Sequence, residues 1–296
     1  MGSSQDSRRR EPSRRASRSV RPNSASSLIL QTRDRELLEA VYGHRFLSSS
    51  QIRDMFFGCA TRSNIRLRKL WEHEYLDRHY LRPLAFHGSS QAIYSLGKRG
   101  VDVIPELLDV DRGEVRRNRH KVRDLKPFFI EHVLAVNDFR INLEAAAENH
   151  PQVQLKRWIN ETDIQDDYKT HTKGRFVKRH IRPDGYGRYL YGGRLFSFFL
   201  ELDRATETNS RFQRKVRSYM DYARSGRYQQ TYGVRFFRVL TVTTSLGRLK
   251  NLVDTTQDFT DGVFWFTTLD KLRDGRVFDP IWTRIGHERE CSLLDG

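Results

Sequence analysis

An apolar run that ends in two carboxylates constrains this chain more than any other stretch. Residues 196–204 read Phe-Ser-Phe-Phe-Leu-Glu-Leu-Asp-Arg, and this pattern predicts a buried strand. Side chains alternate between the two faces of a strand, so Glu201 and Asp203 are expected on the same side. Buried charge must be solvated, paired or bound to a metal. The run therefore predicts a polar site at the end of one strand.

Two further acids extend this group. Asp184 follows Pro183 in the segment that precedes the strand, and Glu161 ends another predicted strand. Carboxylates that converge at strand ends can hold a hard cation such as Mg²⁺ for phosphodiester chemistry. The sequence therefore predicts Asp184, Glu201 and Glu161 as candidate metal ligands.

The same acids also have a structural interpretation that involves no metal. Asp203 and Arg204 could pair with residues of the helix that follows and so orient it. The basic candidates on that helix are Arg211, Arg214 and Lys215. Perturbed acids occur in structural networks as well as in active sites, so the residues alone leave both interpretations open.

The balance of charge indicates which partners the chain attracts. Its 296 residues, enough for two domains, carry 53 Lys and Arg against 37 Asp and Glu, a formal net charge of +16. Such an excess attracts polyanions, and double-stranded DNA is the first candidate because phosphate contacts supply salt-sensitive affinity.

Several other classes of protein do not fit the sequence. Cys59 and Cys291 lie too far apart to form a disulfide framework or a zinc site. No apolar run approaches the ~20 residues that a membrane span needs, and the N-terminus lacks the apolar segment of a secretory signal. We therefore expect a cytoplasmic protein, associated with the nucleoid or a plasmid, with no membrane partner.

Residues 1–28 are predicted to be a disordered basic arm. Arginine alternates with Ser and Pro, and nothing apolar repeats, so the segment cannot bury enough surface to offset the entropy of ordering. The arm either lies along a DNA backbone or has no role, and the sequence favours neither interpretation.

Residues 29–108 are predicted to form a winged helix-turn-helix. Three helices, the first capped by Thr32, precede two strand-like segments. In such a domain the third helix enters the major groove of DNA. The candidate DNA-binding residues are Arg62, Ser63, Asn64, Arg66, Arg68 and Lys69 on that helix, with Arg78 and Arg82 on the wing. The alternative is that the third helix merely presents a solvated basic face.

A second domain is predicted over residues 127–285, after a charge-dense linker at 109–126 and before a tail at 286–296. Its pattern of helix, strands, helix, strand, helix, strand indicates a sheet covered by helices. Residues 163–178 are predicted to be an exposed polar excursion. The fold class is therefore α+β or α/β, with a mixed sheet in the second domain.

This order is similar to that of the PD-(D/E)xK nuclease-like fold of restriction endonucleases. Pro183-Asp184 matches its proline–aspartate motif, and Glu201 matches its next acid. The chain departs where the family has lysine, because Asp203 stands there, and Lys215 on the following helix is a substitute. The resemblance implies that Asp184, Glu201, Asp203 and Lys215 form a catalytic group with Mg²⁺, in which the lysine polarises the attacking water.

The chain as a whole resembles the replication-relaxation family of plasmids and mobile elements. The matching pieces are Thr32-Arg33-Asp34, Arg68-Lys69-Leu70, residues 93–100, His132, Arg182-Pro183-Asp184-Gly185, residues 201–207, and Lys215 with Tyr219. The resemblance covers about residues 30–270. It implies a role in the replication and relaxation of plasmid DNA, with replication or mobilisation proteins as further partners.

Three functions follow as expectations. The first is a DNA-binding protein, the second a Mg²⁺-dependent endonuclease that nicks DNA, and the third a transcription regulator. Each of these three functions is compatible with a homodimer. A relaxase of the paired-histidine type is excluded because no His-x-His occurs, and a P-loop ATPase because Tyr191-Gly192-Gly193-Arg194 lacks the Lys-Ser/Thr pair.

Overall fold

A computed structural model gives the fold in two compact units, Met1–Leu125 and Lys126–Gly296. It describes residues 21, 27–80, 91–119, 125–164, 166–172, 175–205, 207–260 and 262–295. Nearly all of the predicted basic arm, and Arg82 of the predicted wing, lie outside these residues. No helix among the described residues is long and apolar enough to cross a membrane.

The first unit combines helices with a small antiparallel sheet. Its helices are α1 (Thr32–Gly43), α2 (Ser49–Phe56), α3 (Ala60–Glu72), α4 (Lys98–Leu108) and α5 (Arg112–Asn118). Its strands are β1 (Leu47–Ser48), β2 (Leu76–Tyr80) and β3 (Ala92–Leu96), in the order β1-β3-β2. The three helices and two strands expected from the sequence are present.

Helix starts in this unit follow from local hydrogen bonds. Ser48 caps α2, since its hydroxyl accepts from the Gln51 N–H at 3.2 Å while the Gln51 side chain accepts from the Ser48 N–H at 3.0 Å. At α1 the cap is Gln31, and Thr32 is the first helical residue, so the prediction that Thr32 caps this helix is wrong. Asp34 decides the position, because its carboxylate accepts from the Gln31 N–H at 2.7 Å.

The predicted linker contains a helix that the sequence analysis missed. Asp111 caps α5 by accepting from the Glu114 N–H at 2.9 Å, and Val115 is fully buried. One buried apolar residue in seven gives no detectable period, which is why the pattern indicates a linker.

The second unit is a six-stranded mixed sheet with helices on its faces. Its helices are α6 (Pro127–Glu148), α7 (Asn209–Arg224), α8 (Arg227–Tyr232) and α9 (Leu246–Thr256). Its strands are β4 (Val153–Asn160), β5 (Asp166–Thr172), β6 (Arg175–Ile181), β7 (Gly185–Tyr191), β8 (Arg194–Asp203), β9 (Arg238–Thr243), β10 (Phe264–Thr268) and β11 (Thr283–Arg284). The sheet order is β11-β10-β9-β8-β7-β4, in which β8-β9 and β9-β10 are parallel and the other pairs antiparallel.

The predicted polar excursion is a hairpin. β5 and β6 pair antiparallel outside the main sheet, and Tyr168 ties them to α7 by donating to the Ser218 carbonyl at 2.8 Å. Tyr168 and Ile181 are buried, while most of β6 is exposed. Pairing of the two strands satisfies the hydrogen bonds of their backbones without a long apolar run. The polar composition therefore gave no strand pattern from which β5 and β6 could be predicted.

Strand β8 shows how the sheet separates two cores. Leu200 and Leu202 belong to the core on one face, with Phe139 of α6. Phe199 belongs to the core on the other face, with Val216 of α7. Side chains alternate along the strand, so the residues that share the face of Phe199 lie beneath α7 and α9. Glu201 and Asp203 are two of these residues.

We expect Gly187→Ala to destabilise the second unit by about 1–3 kcal/mol. A Cβ atom at this position in β7 would lie 2.1 Å from Cζ of Phe198, whose ring is 1% exposed and has no room to move. Urea unfolding followed by circular dichroism measures the change. Gly247→Ala in α9 is the control, since nothing lies within 4 Å of its Cβ. Equal stability of the two variants would contradict this packing.

Candidate functional site

The carboxylate of Glu201 is the most buried acid at the end of β8. The residue is 2% exposed. Its Oε2 accepts from Lys215 Nζ at 2.6 Å and its Oε1 accepts from the Tyr219 hydroxyl at 2.5 Å. Lys215 and Tyr219 are four residues apart on α7, so one helix face supplies both donors. Thr208 caps this helix and starts it directly after the strand, which brings the face over Glu201.

Asp184 joins three elements at the same end of the sheet. Its Oδ1 lies 2.9 Å from His132 Nε2 on α6, and its Oδ2 accepts from the Leu202 N–H at 2.7 Å. Its own N–H donates to the Leu200 carbonyl at 2.9 Å, which continues the β7-β8 ladder. Asp184 therefore lies beside the end of β8, where the sequence analysis expected the acids to converge.

Asp203 takes a partner other than those considered from the sequence. Arg248 Nε on α9 donates to its Oδ2 at 2.7 Å, and the Ala205 N–H donates to its Oδ1 at 2.6 Å. The Asp203 and Arg248 side chains are 3% and 12% exposed. Arg204 pairs instead with Glu131 at 2.5 Å. The expected pairing of Asp203 with the basic residues of α7 is thus wrong, and Asp203 ties α9 to the sheet.

A cleft of about 570 Å³ opens over these residues. We call it the acidic cleft. Its lining includes Asp184, Glu201, Asp203 and Lys215, the four residues predicted as catalytic, and also Glu161, the third predicted metal ligand. His132 and Tyr219 line it as well. The structure therefore brings the predicted acids and the predicted lysine to a single concave surface.

Burial dominates the electrostatics of this cleft. It raises the pKa of Glu201 to about 7, although Lys215 and Tyr219 favour the ionised form, and the neighbouring Asp184 raises it further. Burial lowers the pKa of Lys215, but Glu201, Asp184 and Glu207 outweigh it and hold that pKa above its usual value. The pair is therefore an ammonium ion beside a carboxyl group that loses its proton near neutral pH.

The pKa of His132 is raised as well. Burial disfavours the imidazolium ion, but the hydrogen bond and charge of Asp184, with the charges of Glu161 and Glu201, outweigh that effect. A protonated His132 is thus the donor to Asp184 over a wider range of pH than a free histidine would be.

The carboxylates, as arranged, do not fit a metal ion. Both oxygens of Asp184, of Glu201 and of Asp203 already accept hydrogen bonds from protein donors. Across the described ranges, no group of three His, Cys, Asp or Glu side chains could hold a metal ion. The positive charges that neutralise these acids come instead from the side chains of Lys215, His132 and Arg248.

Arg248 is the residue of this network that the sequence analysis did not identify. It lies three residues after Ser245, which caps α9 by accepting from the Arg248 N–H at 3.2 Å. The available signal in the sequence was Ser245, a residue type that favours helix caps, followed by an arginine in the first helical turn. It could not show that this turn lies opposite Asp203, because the pairing of β8 with β9 is a tertiary contact.

The predicted DNA-binding residues of α3 divide into an outer and an inner group. Arg62, Asn64, Arg68 and Lys69 are exposed. Ser63 is 1% exposed and lies with the buried apolar residues of the helix. These residues lie on the solvent-exposed side of α3, which also exposes Ile65, whereas Ser63 lies on the buried side.

Two of the predicted arginines have partners within the first unit. Arg66 Nε donates to Asp34 Oδ1 at 2.7 Å, and the Asp34 side chain is 1% exposed. Arg78 on β2 stacks over Trp71 with its guanidinium carbon 3.6 Å from the ring centroid. These contacts hold α1 to α3 and β2 to α3, which gives both arginines a structural role.

The sequence matches the family described as replication-relaxation over residues 38–237. The chain belongs to the replication-relaxation family. The match runs from α1 to the residue before β9, so it includes α3 of the first unit and Asp184, Glu201 and Lys215 of the second. It confirms the resemblance found from the sequence.

Solved structures and curated proteins add little to this assignment. The chain is similar to the restriction endonuclease FokI at 14% identity, over 81% of this chain and 43% of that one, with a TM-score of 0.27. The chain spans less than half the length of that protein. No curated protein matches the sequence.

We expect the stability contribution of Glu201 to fall as pH rises. Folding raises its pKa from 4.5 to about 7, so this contribution is complete below pH 4.5 and is lost as pH passes through about 7. The free energy of unfolding of the wild type, minus that of Glu201→Gln, should decrease over this window. Urea unfolding at intervals of pH measures the difference.

The control for this experiment is Glu288→Gln, because Glu288 is exposed. Its difference from the wild type should not vary with pH. A pH-independent difference for Glu201→Gln as well would mean that folding leaves the pKa of Glu201 unchanged.

Proposed function

We propose that this protein binds double-stranded DNA during the replication or relaxation of plasmid or mobile-element DNA. Membership of the replication-relaxation family supports the process. The first unit supports the binding, because it combines a helix with an exposed basic surface and an antiparallel sheet that follows it directly. The exposed cations of α3 are the observation on which the proposal depends.

We interpret the first unit as a winged helix-turn-helix domain. α2 and α3 form the helix-turn-helix, and β2 and β3 form the base of the wing, whose loop at 81–90 lies outside the described residues. α3 buries Leu67, Leu70 and Trp71 and so keeps one face on the core. Its opposite face is free to enter a major groove, as the recognition helix of this motif does.

The polar face of α3 has the chemistry for this contact. Arg62 and Lys69 line a shallow groove of about 200 Å³ together with Arg33 of α1, which lies over Phe57 with its guanidinium carbon 5.3 Å from the ring centroid. Asn64 is exposed near the start of the helix, where base edges are read. Cations that flank such a position bind phosphates and fix the register of the protein on DNA.

We expect Arg62→Ala combined with Lys69→Ala to weaken binding of duplex DNA at least tenfold at low salt. Removal of one phosphate-binding cation also lowers the slope of log affinity against log salt by about 0.9, so the slope should fall by about 2. Fluorescence anisotropy of a labelled duplex, measured at several salt concentrations, gives both quantities.

The matched control removes two cations from elsewhere on the surface. Arg235→Ala combined with Lys250→Ala makes the same change in net charge at two exposed residues of the second unit. Equal reductions in affinity for the two double variants would show that only overall charge matters and would refute the role of α3.

Nicking of DNA by the second unit is a second candidate function. The observation that favours it is the acidic cleft itself, in which Asp184, Glu201 and Lys215 share one concave surface. The expected Mg²⁺ would have to displace the cations that occupy the carboxylate oxygens. Because His132, Lys215 and Arg248 already neutralise the acids, we interpret the cleft as a structural element of a DNA-binding protein.

We expect supercoiled plasmid to remain intact when it is incubated with the purified protein and Mg²⁺. The internal pairing of Asp184 and Glu201 should also leave the melting temperature unchanged on addition of Mg²⁺, whereas a bound ion would raise it. Agarose gels and thermal unfolding test the two statements. Relaxed or linear product from the wild type and none from Asp184→Asn would establish the nuclease instead.

A transcription regulator is the third interpretation of the same DNA-binding surface. It differs from the proposal in the cell, because a regulator would bind an operator and leave plasmid copy number unchanged. The plasmid copy number in cells that carry the α3 double variant distinguishes a regulator from a replication protein. The proposal requires this copy number to change.

A further inference from the structure

The second unit carries a basic groove that no part of the proposed function uses. This arginine groove has a volume of about 650 Å³ and is lined by Arg179 of β6 and by Arg214, Arg217 and Arg224 of α7. We propose that it binds the sugar–phosphate backbone of DNA, as a second contact surface besides α3. It goes beyond the proposed function, which places DNA on the first unit alone.

The groove has a large excess of positive charge. Asp221 is the one carboxylate among its described lining residues, and it lies 3.7 Å from Arg224. Within the described ranges, Arg214 and Arg217 have no carboxylate within 4 Å, and both are exposed. Cations brought together without counter-charges repel one another, and an anionic ligand removes that repulsion.

Arginine is suited to a phosphate ligand in particular. The planar guanidinium group donates two parallel hydrogen bonds to phosphate oxygens, and several such groups can follow a backbone with repeated charges. Nε of Arg179 is buried and has no hydrogen-bond partner among the described residues. This arginine is thus not committed to an acceptor through Nε, whereas Arg66 in the first unit is.

The walls of the groove are held in place by neighbouring contacts. The guanidinium carbon of Arg217 lies 4.9 Å from the centroid of the Phe259 ring, a contact that orients the group. Tyr168 of β5 donates to the Ser218 carbonyl at 2.8 Å and thus attaches the hairpin, with Arg179, to α7. Groups ordered before binding lose little entropy when a ligand binds.

The position of the groove indicates a polymer rather than a free anion. Ser218 lines both the arginine groove and the acidic cleft, so the two are contiguous along α7. A single phosphate needs one pair of arginines, whereas four arginines spread over β6 and more than two turns of α7 match a chain of phosphates. A DNA strand held here would pass the rim of the acidic cleft.

The test uses the full chain and labelled oligonucleotides, one duplex and one single-stranded. We expect Arg214→Ala combined with Arg217→Ala to weaken binding of at least one of them tenfold or more, and to lower the salt slope by about 2. Arg214→Lys combined with Arg217→Lys should reduce the affinity less. The duplex and single-stranded arms show which form of DNA the groove holds.

The control is again Arg235→Ala combined with Lys250→Ala, which removes the same charge outside the lining of the groove. Thermal unfolding must be unchanged in all three double variants, and these exposed side chains make that the expected result. The proposal is overturned if the groove variant binds both oligonucleotides within twofold of the wild type, or if the control variant loses as much affinity.

The two proposals can fail separately. If the α3 variant loses binding and the groove variant does not, the groove has no role and the proposed function stands. If the groove variant alone loses binding, DNA binds the second unit and the proposed role of α3 is wrong. If the α3 variant and the groove variant both lose binding, and the control variant at Arg235 and Lys250 does not, both surfaces contact DNA.

Discussion

The buried carboxylate of Glu201 is the constraint from which the second unit is best understood. An acid with 2% exposure at the end of a strand is strongly unfavourable unless donors reach it. Lys215 and Tyr219 supply these donors from one face of α7. Removal of either would leave a buried group unsatisfied, so this interaction aligns the helix with β8.

The alignment of α7 has consequences on both of its sides. The side that satisfies Glu201 closes over the acidic cleft, and the other side carries Arg214 and Arg217 into the arginine groove. One helix thus separates acids that are paired with cations from the exposed arginines. These arginines attract a polyanion, and the +16 net charge of the chain favours its approach.

Much of the fold could be predicted because its elements have local signals. The alternation along β8 placed Glu201 and Asp203 on one face, and the helix expected after this strand is α7. Short or polar elements were missed, since α5 buries one apolar residue and the β5-β6 hairpin buries few. Such elements are stabilised by contacts with residues that are distant in the sequence, which local patterns do not indicate.

The sequence by itself determined the membership of the chain in its family, its positive net charge and the residue types of the acidic cleft. The tertiary structure decided which cation neutralises which acid. Asp203 pairs with Arg248 and not with α7, and Arg66 turns inward to Asp34 while Arg62 stays exposed. Composition and periodicity are local properties, whereas an ion pair depends on how distant elements pack, so the pattern of residues could not assign these partners.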